Sequence, residues 1–301
     1  MPGSATFRGR NGLIAFRSDA GNTARRESHA IWVVNPDGTG AKRVTPGADP
    51  PKSETDYSPV FLPDGHRLAY VRQVYGGDFA TANQIYLKSV SAPASAVGAP
   101  VLPESVEYPI LSLGVSPDGH KLVIATQPPP LEETQIFTLG LDGSGMTRLT
   151  SGPLAAKSPD FSPDGKTIVF TARRHGHGGV FTVRADGSGL RRLTARPGDG
   201  APSFSPSGDR IVFNRHAGRG VGIFSMRADG GGVVRLTDGR GVDRGPVFSP
   251  DGRSIAFSRA GAGRNPDIYA MRADGSGVHL VYRSRGRSFS DFAPDWGPMP
   301  R

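Results

Sequence analysis

Pro159-Asp160-Phe161-Ser162-Pro163-Asp164-Gly165 decides how this chain is read, because the phrase is written again and again. It returns as Pro202-Ser203-Phe204-Ser205-Pro206-Ser207-Gly208 and as Pro246-Val247-Phe248-Ser249-Pro250-Asp251-Gly252. A second phrase, Asp-Gly, recurs at Asp37-Gly38, Asp142-Gly143, Asp186-Gly187, Asp229-Gly230 and Asp274-Gly275. Both are hairpin chemistry: Gly accepts the positive φ of a tight β-turn, and Pro presets φ just before it. Between them lie short β-prone runs, such as Thr167-Ile168-Val169-Phe170, Val180-Phe181-Thr182-Val183 and Leu190-Arg191-Arg192-Leu193-Thr194. With the aromatic run before the first turn, each repeat supplies four strands, A to D.

The Pro of the first turn stands at Pro63, Pro117, Pro163, Pro206, Pro250 and Pro298. Four short antiparallel strands in each period of roughly 45 residues make a propeller blade. The chain starts at a strand B, Leu13-Ile14-Ala15-Phe16, and finishes on an orphan strand A, Phe292-Ala293-Pro294-Asp295-Trp296-Gly297-Pro298. Trp296 occupies the slot of Phe61, Phe161, Phe204 and Phe248. The reading is therefore all-β: a six-bladed β-propeller of four-stranded antiparallel blades, closed by the C-terminal strand completing the N-terminal blade. It forms one domain, 1–301, with a composite blade of 11–45 plus 288–298 and blades at 56–103, 109–150, 158–194, 200–237 and 244–282. Leu113 and Val115 break the Pro and aromatic slots of the third blade, and Ser91–Ala96 replaces the Asp-Gly turn of the second. These two blades are expected to be the least regular.

Composition removes several classes of function. The chain has no Cys, which excludes a disulfide framework and thiolate chemistry. No apolar run approaches the ~20 residues of a membrane helix. Lys plus Arg is 36 against 27 Asp plus Glu, a net charge of +9 that suits an anionic partner. The start, Met1-Pro2-Gly3-Ser4-Ala5-Thr6-Phe7, has neither a basic n-region nor an apolar h-region, which fits a cytoplasmic protein or an exported one already processed.

The repeated phrases resemble those of the TolB-type six-bladed propellers, a WD40-like class of repeat, over residues 9–298. Gly9-Arg10-Asn11-Gly12-Leu13-Ile14-Ala15-Phe16 is similar to the start of many secreted or periplasmic members. The resemblance implies the fold and favours a periplasmic or secreted location. The family includes the periplasmic TolB protein of the Tol–Pal system. The family further includes propellers attached to prolyl-oligopeptidase-type peptidases. The chain leaves no room for TolB's separate N-terminal domain and contains no Gly-x-Ser-x-Gly elbow, so neither Pal binding nor peptidase activity is carried over.

In a propeller the A–B and C–D turns share one face, and the B–C and D–A loops share the other. The second face collects Arg173, Arg174, His175, His177, Arg215, His216, Arg219, Arg259 and Arg264, the expected contacts of a partner. Asp56, Asp199, Asp243 and Asp291 each stand three residues before the strand-A Pro, with Ile110 and Ala156 in the matching slots of the third and fourth blades. At the channel mouth such a partial ring either holds a divalent cation such as Ca²⁺ or ties loops by accepting backbone N–H groups. Its repetition favours the second role. His175, His177 and His216 have the residue type for a transition metal but lack carboxylate support.

Two functions stay open. One is a non-catalytic binding or scaffold propeller that offers its basic loop face to a protein or anionic ligand. The other is a metal-assisted lyase or hydrolase at the channel mouth, with Asp199, Asp243, Asp291 and His177 as first candidates. No catalytic set is recognisable, which favours the first. Nucleic acid is disfavoured because the cations interleave with Gly and Asp more than with aromatics suited to base stacking. A monomer is expected.

Overall fold

The computed structural model describes residues 7–18, 29–46, 53–76, 79–174, 176–218, 220–261, 265–284 and 294–300. These form 24 strands and no helix. In the first sheet β1 (Asn11–Ser18), β2 (Ala30–Val34) and β3 (Lys42–Arg43) are joined at the β1 edge by β24 (Asp295–Pro298). The second holds β4 (Ser53–Phe61), β5 (Arg67–Gly76), β6 (Phe79–Ser89) and β7 (Ala99–Pro100). The third holds β8 (Ile110–Val115), β9 (Lys121–Thr126), β10 (Gln135–Gly140) and β11 (Thr147–Arg148), and the fourth β12 (Leu154–Phe161), β13 (Thr167–Arg174), β14 (His177–Arg184) and β15 (Arg191–Arg192). The remaining sheet has eight strands in two antiparallel halves. They are β16 (Gly200–Phe204), β17 (Arg210–Ala217), β18 (Gly220–Arg227) and β19 (Val234–Arg235), then β20 (Val242–Phe248), β21 (Ser254–Ala260), β22 (Asp267–Arg272) and β23 (His279–Tyr282). A single parallel bridge, Val221↔Val242, joins the halves.

The repeated Ser-Pro-Asp-Gly closes the first hairpin through its side chains. Ser162 Oγ donates to Asp164 at 2.6 Å and accepts the Thr167 N–H at 2.9 Å, while Asp164 accepts the Lys166 N–H at 3.0 Å. Ser249 and Asp251 repeat this set with Arg253 and Ser254. Where Ser207 replaces the Asp, Asp209 supplies the carboxylate, accepting from Ser205 at 2.9 Å and from Ser207. These hydrogen bonds hold the turn carboxylates below their usual pKa; the first cause for Asp164 is the Ser162 hydroxyl.

Strand D is two residues long in most sheets, so it is held by more than its ladder. Thr45, Thr150, Thr194 and Thr237, two residues past it, each accept a strand-C backbone N–H at 2.9 to 3.0 Å. The preceding Arg43, Arg148, Arg192 and Arg235 fold back onto the carbonyl of the same Thr. In the second sheet Gln84 Oε1 takes the threonine's place, accepting from Ile85 and Leu102. Its missing Asp-Gly turn is replaced by a loop wrapped around the Lys88 ammonium, which donates to the carbonyls of Pro93, Ala94 and Ala96.

Strand A carries a bulge just before its Pro in four of these units. The bulged residues, Ser58, Ser158, Ala201 and Gly245, have φ between 47° and 57°. A left-handed conformation costs a non-Gly residue about 1–2 kcal/mol, and a following Pro restricts it further. The gain is a bond to the preceding unit: the Ser158 N–H donates to Ser112 Oγ at 2.9 Å, and the Ala201 N–H to Thr171 Oγ1 at 3.1 Å.

Apolar side chains fill the space between successive units. Phe61 packs with Ile31 and Tyr70, Val60 with Leu113 and Leu122, and Phe161 with Val123 and Phe170. Phe204 packs with Val169 and Phe213, Phe248 with Val212 and Phe257, and Trp296 with Val247 and Ile14. The last contact returns to the first sheet, so the layers form a closed circuit. Burying each such aromatic is worth about 2–3 kcal/mol. At the turn face, residues 7–10 cross this circuit. Phe7 is buried with Val60, Leu62 and Val115, Arg8 Nε donates to the Pro206 carbonyl at 2.8 Å, and the Gly9 N–H donates to that of Pro250 at 3.1 Å.

Candidate functional site

Three of the acidic positions named from the sequence resolve into one repeated device. Asp56 accepts from Arg72 Nε at 2.7 Å and from Nη2 at 2.8 Å. Asp199 holds Arg215 at 2.7 and 2.8 Å, and Asp243 holds Arg259 at 2.6 and 2.8 Å, through the same pairs of atoms. The cause is register. Strand A runs antiparallel to strand B, and Asp56↔Arg72 and Asp243↔Arg259 stand directly opposite each other. Each carboxylate is almost wholly buried. A planar guanidinium matches both oxygens of a carboxylate at once.

Each arginine also lies over two aromatic rings of its own sheet. Arg215 Cζ is 5.0 Å from the Phe213 centroid and 5.2 Å from that of Phe224. Arg259 sits 5.2 and 5.3 Å from Phe257 and Tyr269, and Arg72 6.0 and 5.6 Å from Tyr70 and Tyr86. Arg72 has a third partner, Glu54, at 3.2 Å. Burial is the largest influence on its pKa and lowers it, yet the hydrogen bond and charge of Asp56 together raise it further.

The pairing explains where the carboxylates go. With both oxygens on a guanidinium, Asp56, Asp199 and Asp243 form three separate ion pairs. Among the described residues no group of three or more His, Cys, Asp or Glu side chains is placed to hold a metal ion. The slot holds Ala156 opposite Ala172 in the fourth sheet and Ile110 opposite Thr126 in the third, so neither has a fork. Arg173, Arg174 and His177 lie at the end of β13 and the start of β14, exposed; His216 is exposed at the end of β17. Asp291, His175, Arg219 and Arg264 lie outside the described residues.

Two further carboxylates sit in the inner strands, in the slot just before the strand-A aromatic. Asp160 and Asp295 are fully buried there, where the second sheet has Val60 and the last half-sheet has Val247. Each reaches the next inner strand: Asp160 Oδ2 accepts the Phe204 N–H at 2.9 Å and Asp295 Oδ2 the Phe61 N–H at 2.7 Å. Asp160 Oδ1 is buried without a hydrogen-bond partner among the described residues. Burial, with the negative charge of Asp295 adding to it, pushes the Asp160 carboxyl well above its usual pKa. The signal for this pair was in the sequence, as Asp where the repeat elsewhere has Val, Gly or Ser.

A family model for the TolB beta propeller domain matches residues 4–200 and again 197–298. The chain belongs to the TolB β-propeller family. Among solved structures, TolB from Acinetobacter baumannii is similar at 22% identity with a TM-score of 0.74, over 95% of this chain and 67% of that one. Putative TolB from Agrobacterium tumefaciens gives 21% and 0.68, over 91% of this chain and 89% of that one. An oligogalacturonate lyase from Vibrio parahaemolyticus gives 11% and 0.53, over 81% and 73%. At such identities the likeness is one of fold, and fold alone assigns this TolB-family propeller no activity. No helix among the described residues is long and apolar enough to cross a membrane.

Proposed function

We propose that the chain is a non-catalytic binding propeller, periplasmic or secreted and monomeric, that offers the basic part of its loop face to a protein or anionic ligand. One observation carries the reading. In the second sheet and in both halves of the eight-stranded one, the loop-face arginine is neutralised by its forked Asp. In the fourth sheet that slot is Ala156, and Lys157, Arg173, Arg174 and His177 are exposed with no ion pair among the described residues. Arg196, in the next loop of this face, is exposed as well. The four exposed glutamates that are described, Glu104, Glu107, Glu132 and Glu133, all lie beside the third sheet. A partner therefore meets a face that is acidic on one flank and basic on the other, which fixes orientation as well as attraction.

The same reading takes 1–301 as a single domain. It takes the eight-stranded sheet as two blades touching at one bridge, which with the four other sheets makes six. The lone Val221↔Val242 contact supports this, since a continuous sheet would pair over several residues.

The test uses poly-glutamate as an anionic probe, measured by calorimetry at low and at physiological salt. Arg173→Glu/Arg174→Glu is expected to weaken binding about tenfold or more, chiefly at low salt. Equal affinity for wild type and variant removes the basic flank from the reading. A Ca²⁺-specific rise in melting temperature that is lost in Asp199→Ala would favour metal-assisted chemistry at the channel mouth instead.

A further inference from the structure

The turn face, opposite the loops, carries a cleft unlike its neighbours. Between β12–β15 and β16–β19 lies a cleft of about 470 Å³, bordered by Arg8, Arg184 and Arg191. The repeat supplies its own control, because the neighbouring cleft between β8–β11 and β12–β15 is built from matching positions. That cleft is about 210 Å³ and is lined by Asp118, Asp164 and Lys121, two acids against one base. The larger cleft keeps one acid, Asp164, and has three guanidinium groups.

Each difference has a residue behind it. Where the smaller cleft has Asp164 at its far rim, the larger has Ser207, and the carboxylate that rebuilds the turn has moved to Asp209, outside the cleft lining. Arg184 stands where the third sheet has Gly140, with its side chain laid against Gly189. Its repeat equivalents lie in the same way against Gly232 and Gly277 but also hydrogen-bond within their hairpins, Arg227 to Asp229 at 3.3 Å and Arg272 to Ser276 at 3.4 Å. The Arg184 guanidinium makes no side-chain hydrogen bond among the described residues, although its charge acts on Asp186 of the same hairpin. Arg191 replaces Thr147 of the third sheet and reaches across to the Asp229 carbonyl at 2.9 Å. Arg8 belongs to no repeat; the segment crossing the turn face brings it in and anchors it by Nε on Pro206. The remaining acid is occupied, since Asp164 already accepts from Ser162 and the Lys166 N–H. A residue that recurs serves the repeat, as Arg184 does with Arg227 and Arg272; one acid removed and two further arginines, Arg8 and Arg191, brought to the same interface do not.

We propose that this cleft binds a small organic anion, with its carboxylate or phosphate held by Arg8, Arg184 and Arg191 and its body resting in the groove beside Phe204. The volume lies in the range of small-molecule sites, and guanidinium groups pair both kinds of oxyanion bidentately. The site is independent of the loop face.

Calorimetric titration with citrate and with inorganic phosphate, ionic strength held with chloride, separates the two chemistries. At least one is expected to bind saturably, and Arg191→Ser to weaken it by about tenfold or more, the effect of losing some 1.4 kcal/mol. Ser207→Asp restores the residue that the sibling turns tolerate, so it should fold and also weaken binding. Arg173→Glu, on the other face, should leave it unchanged. If neither anion saturates, or if both Arg191→Ser and Ser207→Asp bind as wild type does, the site does not exist. If binding falls equally in Arg173→Glu, the anion is responding to overall charge and the assignment fails.

Discussion

Asp199→Ala puts the repeated Asp–Arg fork to its most direct test. The Asp199 side chain is fully buried, whereas Arg215 retains 12% exposure. Removing one member of a fully buried pair costs about 3–5 kcal/mol, because the other charge is stranded. Arg215 is stranded less completely, since water reaches it and its cation–π contacts with Phe213 and Phe224 survive. The expected cost is therefore about 2–3 kcal/mol. At roughly 2 °C per kcal/mol for a domain of this size, the melting temperature should fall by about 4–6 °C. Urea unfolding of Asp199→Ala, Arg215→Ala and the double variant closes a thermodynamic cycle, in which a coupling of about 2 kcal/mol is expected. Arg173→Ala, exposed and without a fork, is the comparison and should change stability by less than about 0.5 kcal/mol. A loss below that level in Asp199→Ala, or strict additivity in the double variant, would refute the fork as a stabilising element.

Three other outcomes follow from the same structure. Asp160→Asn should abolish one pH dependence. A carboxyl with a raised native pKa binds its proton more tightly folded than unfolded, so stability declines as pH rises from about 4 towards the native value, by up to about 1.4 kcal/mol per pH unit. Denaturant midpoints across that range should flatten in the variant, and an unchanged slope would clear Asp160 of responsibility. Trp296→Ala empties a buried site packed on Val247 and Ile14 and should cost about 3–5 kcal/mol; a shift under about 1 kcal/mol would mean that β24 contributes little to closure. Ala201→Gly relieves a left-handed residue at φ 47° and should stabilise by about 0.5–1 kcal/mol despite the greater freedom of the unfolded chain. A melting temperature below that of wild type would show that the bulge is not strained.

Much of the fold can be read from residues whose effects are local. The Pro and Asp-Gly turns act within four or five residues, so their spacing reports directly on the hairpins, and the slot shared by Trp296 and Phe61 reports on closure. The candidate site was less legible, because it depends on what stands across the ladder. Asp199 and Arg215 were each visible, but as members of two separate sets, an acid ring and a basic face. Only the antiparallel register makes them one ion pair, although the constant offset between Asp56 and Arg72, Asp199 and Arg215, and Asp243 and Arg259 was there to be noticed. Asp160 and Asp295 escaped because the adjoining Pro and aromatic drew attention to the turn. Ser207 reads as a mild departure from a motif until its neighbours Arg184 and Arg191 are seen in space.

The pairing of β1 with β24 also has a consequence in time. The ribosome completes Asn11–Ser18 long before it reaches Asp295–Pro298, and at 5–20 residues per second the delay is on the order of 15–60 s. Until then β24 is not there to pair with β1, and an unpaired sheet edge is the kind of surface on which strands from other chains add. Pairing with β24 removes that edge, so the last residues of the chain to be made are also those that end its exposure.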